Sequence, residues 1–132
     1  MEKTLLILKP DAVSGRHVGD ILSAVEKDGF TIVKIRTLLM DNDMAARLYA
    51  PHKGKPFYDS LVEFMTSGIA VVCVLERSDA IQRLRRLLGD TDSRKAAQGT
   101  IRALYGTDIQ MNATHGSDSE ESFKREYAIF FD

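Results

Sequence analysis

Cysteine is nearly missing from this sequence: Cys73 stands alone among 132 residues, so no intrachain disulfide can form. It lies inside the apolar run Ile69-Ala70-Val71-Val72-Cys73-Val74-Leu75 and reads as a small core residue. No Cys/His spacing of the metal-binding kind exists. Long hydrophobic runs are missing as well. No apolar stretch approaches the ~20 residues of a membrane span, and the amino terminus has no signal-peptide hydrophobic region. A cytoplasmic protein without a membrane anchor is expected. An excess of one charge is also missing: 18 Lys and Arg against 19 Asp and Glu leave a net charge of −1. That removes the electrostatic footprint of a dedicated nucleic-acid binder, and any cationic site must be local. There are no internal repeats, low-complexity tracts or linkers. What is present, 44% hydrophobic and 28% charged residues, is the composition of an ordinary globular protein, expected as one domain over residues 1–132 with a substantial core.

Thr4 to Leu8 is apolar almost throughout and reads as a buried strand stopped by Lys9-Pro10-Asp11. After a loop containing His17, which has no partner pattern and is expected in solvent, Val18, Ile21, Leu22 and Val25 recur at helical spacing until Gly29. Val33, Ile35 and Leu39 alternate with Lys34 and Arg36, the pattern of a strand buried on one face. Asp41-Asn42-Asp43 offers caps for a short helix reaching Tyr49, and Pro56 is placed to open another with the stripe Phe57, Leu61, Phe64 and Met65. Together these predict a helical hairpin. The run Ile69 to Leu75 predicts a central strand, and Ser78-Asp79 a cap for a helix with Ile81, Leu84, Leu87 and Leu88 inward and Gly89 as its stop. Thr91 to Gly99 shows no period, and a last short strand is expected at Tyr127–Phe131. The order is β-α-β-β-α-β with inserted helices. It predicts an α/β (α+β) sandwich with a four-stranded antiparallel sheet and helices on one face.

The chemistry gathers at Asn112-Ala113-Thr114-His115-Gly116-Ser117-Asp118. Ser117 and Glu120 have capping-box spacing, which predicts a helix from Asp118 and places His115 just outside it, with Gly116 as the turn. A surface histidine and a nucleophile both fit this pattern. Ser122 and Glu126 follow Asp118 at i, i+4, so a carboxylate on that face could reach a hydroxyl or ring nitrogen near the loop. Asp118, Glu120 and Glu121 make the helix end a poor anion site unaided, so a phosphate would need cations from elsewhere. Lys9 fits either an exposed lysine beside a turn or an ammonium aimed from a strand end. Arg83 and Arg85 flank the buried stripe of their helix while Arg86 points away. Phe57 fits a core or lid position and also a stacking surface.

These residues resemble the nucleoside diphosphate kinase family over essentially the whole chain. The family signature Asn-x-x-His-Gly-Ser-Asp stands here as Asn112 to Asp118, and Leu8-Lys9-Pro10-Asp11, Lys55-Pro56-Phe57-Tyr58, Leu87-Leu88-Gly89-Asp90-Thr91 and Gly99-Thr100-Ile101-Arg102 match in order. The resemblance implies a ferredoxin-like fold and a ping-pong transfer of the γ-phosphoryl group from a nucleoside triphosphate to a nucleoside diphosphate through phosphohistidine on His115. By position, it implies that Glu126 and Ser117 orient the imidazole and that Lys9 and Tyr49 meet the transferring group. Arg85, Thr91 and Arg102 would hold the other phosphates, and Asn112 with Lys9 the sugar 3′-hydroxyl. Phe57 would stack on the base, with Leu61 nearby and Ile109 opposite. No metal-ligating side chain is implied, since Mg²⁺ would be held mainly by the nucleotide phosphates. The resemblance also implies a homo-oligomer built from dimers. Asp92-Ser93 stands where many members have Asn-Pro, and no tail follows Asp132, so assembly above the dimer is expected to be weaker than in tailed relatives. Two other readings compete with this one. An RNA-recognition module needs paired aromatics on central strands and a basic face, where this chain has Cys73, valines and near-neutrality. An idle homologue kept as a scaffold conflicts with the presence of all the matched residues.

Overall fold

A computed structural model describes residues 1–131. Asp132, after which the sequence reading expects no tail, lies outside the described residues. In chain order the elements are β1 (Glu2–Leu8), α1 (Pro10–Ser14), α2 (Val18–Lys27), β2 (Thr31–Leu39), α3 (Asn42–Leu48), a 3₁₀ turn (Ala50–His52) and α4 (Tyr58–Met65). They continue with β3 (Ile69–Arg77), α5 (Ala80–Leu88), α6 (Ile101–Tyr105), β4 (Thr114–Gly116) and α7 (Glu120–Phe131). Every pairing is antiparallel in a four-stranded sheet of order β2-β3-β1-β4. This is the expected ferredoxin-like framework, with α3 and α4 as the inserted hairpin.

The two central strands are apolar at nearly every position, so both sheet faces need cover. Leu6 and Leu8 face Ala12, Ile21, Val25, Leu84, Leu88 and Ile101, from α1, α2, α5 and α6. Leu5 and Ile7 face Ala45, Leu48, Leu61, Met65, Ile129 and Phe130, from α3, α4 and α7. Helices therefore pack on both faces, and the one-face expectation is corrected. Each of these large side chains is worth roughly 1.5–3 kcal/mol of burial, which holds β1, and with it the strand-end Lys9, in the molecule's rigid centre.

Other expectations change for identifiable reasons. Tyr127–Phe131 is the last part of α7, not a strand: Glu126, Ile129 and Phe130, at i, i+3 and i+4, are its buried residues. The fourth strand is instead Thr114–Gly116, so His115 stands on a strand rather than in a loop, paired with Ile7 of β1. The following helix begins at Glu120, and Ser119 rather than Ser117 caps it, its hydroxyl accepting from the Ser122 N–H at 3.0 Å. Lys9-Pro10-Asp11 starts α1 with Pro10 in its first turn, a position where the missing N–H costs nothing. Pro56 stops short of α4, whose N-cap is Phe57. Asp79 sits at φ 54° without capping α5; the Glu2 carboxylate accepts from the Ile81 N–H instead, at 2.8 Å. Strand β2 is an edge strand with a register shift between Ile32 and Lys34, and Val33, Ile35 and Leu39 are 41%, 52% and 60% exposed. His17 is half-buried, its ring 4.8 Å from that of Tyr105.

Candidate active site

Strand β4 hangs on the rim of β1, with His115 between Thr114 and Gly116. Gly116 serves close approach rather than a turn: a Cβ there would come within 3.0 Å of Leu88 Cδ1 and 3.2 Å of Leu84 Cδ2, so glycine lets β4 lie against α5. The His115 Nε2 lies 3.0 Å from Glu126 Oε2 on α7, and the Ser117 hydroxyl donates to the other oxygen, Oε1, at 2.6 Å. Glu126 is 2% exposed. Burial alone would raise its pKa, but the His115 hydrogen bond and charge, Ser117 and Arg125 together hold it below the usual range. An ionised carboxylate can only accept, so Nε2 is a protonated nitrogen, and in the neutral ring Nδ1 is then the one that carries the free lone pair. The ring is fixed in one tautomer with its unprotonated nitrogen available.

The Tyr49 ring stands edge-on to this imidazole, centroids 6.3 Å apart at 82°. Its hydroxyl is buried without a hydrogen-bond partner, and burial, together with the Glu126 charge, pushes the phenol pKa up, so it remains a proton donor. Lys9 is 5% exposed; its Nζ donates to Asn112 Oδ1 at 2.8 Å and faces the Gln110 carbonyl at 3.5 Å. Burial and then the Arg102 charge lower its pKa to about 7, against the opposing pull of Asp11 and Asp108. Arg102, on α6, donates to the Gly89 carbonyl at 2.9 Å and the Thr114 carbonyl at 3.0 Å, leaving Nε buried and unpartnered. Its pKa is lowered to about 10 by burial and by Arg85, which also acts on Asp118. Asn112 spends both amide hydrogens internally, on the Thr91 and Ile109 carbonyls at 2.8 and 3.1 Å, so only Oδ1 keeps capacity for a further group.

The contacts thus join Lys9, Tyr49, Arg102, Asn112, His115, Ser117 and Glu126. Arg85 and Thr91 lie exposed at the rim, whereas Arg83 pairs with Asp28 at 3.0 Å and points elsewhere. Phe57 and Ile109 are 47% and 60% exposed, but Leu61 is 8% exposed and belongs to the core beneath. Four further residues had no local sequence signal. The Ser60 hydroxyl reaches Gln110 Oε1 at 3.2 Å and ties α4, which follows Phe57, to the segment bearing Ile109. Asp108 Oδ1 accepts from the Gln110 and Met111 N–H groups at 2.9 and 2.8 Å and stiffens that segment. His52 lies 5.5 Å from the Phe57 ring. A surface hollow lined by Lys3, Val33, Lys34, Val74, Phe123 and Tyr127 includes none of these residues.

Buried cations around a histidine with a free nitrogen suit a polyanion carrying an electrophilic phosphorus. Among the described residues no group of three or more His, Cys, Asp or Glu side chains could hold a metal ion. The donor set of Lys9, Arg102 and Arg85 suits phosphate oxygens.

The family model described as "Nucleoside diphosphate kinase" matches residues 2–132. The nucleoside diphosphate kinase of Ignicoccus hospitalis is 45% identical over 131 residues, covering 99% of this chain and 89% of that protein. Among solved structures, the Aquifex aeolicus nucleoside diphosphate kinase superposes with a TM-score of 0.95 at 43% identity, over 99% of this chain and 95% of that one. The Halobacterium salinarum enzyme in complex with CDP gives 0.96 at 43% identity, over 99% and 88% of the two chains.

Proposed function

The chain belongs to the nucleoside diphosphate kinase family and so moves a phosphoryl group between nucleoside tri- and diphosphates; from that premise we propose a ping-pong route through phosphohistidine on His115. The observation that carries it is the 3.0 Å contact from His115 Nε2 to Glu126, which leaves Nδ1 as the nucleophilic atom. In the first half-reaction the Nδ1 lone pair attacks the γ-phosphorus, an N–P bond forms, the bridging P–O bond breaks, and a nucleoside diphosphate leaves with that electron pair. The positive charge growing on the ring is met by Glu126. In the second, a terminal oxygen of another nucleoside diphosphate attacks the same phosphorus and releases the neutral imidazole.

Lys9 and the Tyr49 hydroxyl meet the transferring group, and Arg85, Arg102 and Thr91 the remaining phosphates. Asn112 Oδ1 accepts from the sugar 3′-hydroxyl, and the base lies between Phe57 and Ile109 with Leu61 supporting the slot from below. Mg²⁺ held by the nucleotide phosphates would offset part of their charge beside Arg85, Arg102 and Thr91. The reading also includes a homo-oligomer built from dimers. The apolar residues Val33, Ile35, Leu39 and Ile69, all at least 41% exposed along β2 and its neighbour, support an edge that a second copy covers.

Incubation with γ-labelled ATP and Mg²⁺ should place acid-labile, base-stable label on the protein, discharged by a different nucleoside diphosphate. His115→Ala should remove label and transfer together, while His17→Ala keeps both. Label retained on His115→Ala would refute the proposal.

A further inference from the structure

Ala113, two residues ahead of His115, holds φ at +74°, a region that an L side chain adopts only at a cost. It is 0% exposed, and both its backbone groups are gripped. The Ala113 N–H donates to Asp11 Oδ2 at 3.0 Å, and its carbonyl accepts from the Lys9 N–H at 2.8 Å. The second Asp11 oxygen is buried without a partner at hydrogen-bond distance, and the Ala113 amide is the foremost of the backbone N–H groups that favour the carboxylate, ahead of those of Asp11 and Ala12. Next door, Asn112 Oδ1 accepts from Lys9 Nζ at 2.8 Å. Residues 9–11 and 112–113 therefore clasp each other, with the ammonium on one side and the imidazole two residues beyond the other. The Asn112 carbonyl also accepts from the Thr114 N–H at 2.9 Å, closing a turn across Ala113, so Asp11 shares with this turn and with the Lys9 N–H the holding of the strained φ.

We propose that Asp11 is a positioning residue for phosphoryl transfer: its carboxylate holds Ala113 in the left-handed conformation and thereby fixes His115 relative to Lys9. The inference rests on His115 being the nucleophile. Asp11→Ala should lower kcat about 100-fold while KM stays within about threefold, because a small displacement of reacting atoms is costly and the nucleotide's other contacts remain. Glycine adopts positive φ freely, so adding Ala113→Gly should restore about tenfold of that loss. Asp11→Asn, which keeps an acceptor oxygen, should remain within about threefold of the parent.

A double variant no faster than Asp11→Ala overturns the proposal, as does an Asp11→Ala enzyme whose kcat is unchanged. A measurement on the unaltered protein covers failure of the variants to fold. Burial raises the Asp11 pKa, against the opposing Ala113 hydrogen bond and the Lys9 charge, so the Ala113 amide-proton resonance should shift as that carboxyl titrates above the ordinary carboxylate range. A resonance that stays put as Asp11 protonates overturns the clasp. Absence of phosphoryl label on His115 in the parent protein would remove the underlying reading instead, and the two failures are distinguished by that control.

Discussion

Glu126 accepts hydrogen bonds from both His115 and Ser117, while the Tyr49 hydroxyl and Arg102 Nε, equally buried, have no partner at all. The imidazole side of the site is satisfied within the protein. The cationic side is not: Lys9 is desolvated beside Arg102, and Arg102 is desolvated beside Arg85, which lowers their pKa values to about 7 and about 10. The contrast separates two contributions to one reaction. Orientation is built in advance, and electrostatic stabilisation is stored as discomfort that a polyphosphate relieves.

The comparison is broken most severely from its uncomfortable side. Lys9→Ala and Arg102→Ala should each cost about one to three orders of magnitude in kcat/KM, measured by coupled assay with Arg86→Ala as the unaffected control. Equal losses at Arg86 would mean that helix position does not select the working cations. Breaking the comfortable side should stay within that range and act on kcat alone. Glu126→Ala leaves the cations intact but frees the imidazole, for a fall of about 100-fold in kcat with KM little changed. A rise in KM alone would show that Glu126 serves binding.

The same contrast has a pH signature. Folded Lys9 titrates near 7 rather than 10.5, so between those values the unfolded chain binds more protons and stability rises with pH. Below about 7 the full cost of a buried charge is present, and it fades toward 10.5. Lys9→Met should accordingly gain stability relative to the parent at low pH and lose that advantage as pH rises through this window. Denaturant melts at pH 6 and pH 9.5 would check it, and a constant difference would sink it. The smallest effect belongs to the slot. Gln110→Ala or Ser60→Ala removes one exposed hydrogen bond, so KM should change by no more than about tenfold. Specificity constants for adenine, guanine and pyrimidine diphosphates should stay within about two decades, since stacking reads bases weakly. Rejection of pyrimidines in the parent, abolished by Gln110→Ala, would mean that the amide reads the base edge.

Much of this was legible in the sequence, for reasons that also explain the rest. The continuous apolar runs of β1 and β3 and the stripes of α2 and α5 announce themselves because their partners lie within one local period. His115 and Glu126 were connected because they stand on successive elements. Tyr127–Phe131 misled because five apolar residues fit a strand as well as a buried helix end. The true fourth strand, three residues long, has no period to detect. Val33, Ile35 and Leu39 alternate correctly yet lie exposed, since alternation records which face is apolar and not what covers it. Asp11 looked like punctuation after Pro10; its partner is 102 residues away. Ser60 and Gln110 are likewise joined only by tertiary structure.

Gly116 carries a consequence of a different kind. Hydrostatic pressure acts on a folded protein chiefly by eliminating its internal voids. Where β4 meets α5 a methyl group on Gly116 would press on Leu84 and Leu88, which would have to give by a few tenths of an ångström. The spacing between the strand bearing His115 and the helix bearing Arg85 is therefore set at a tightly packed joint with little void to eliminate. Compression should reach the looser rim around Phe57 and Ile109 long before it alters that spacing, so pressure should change nucleotide capture well before it changes the chemical step.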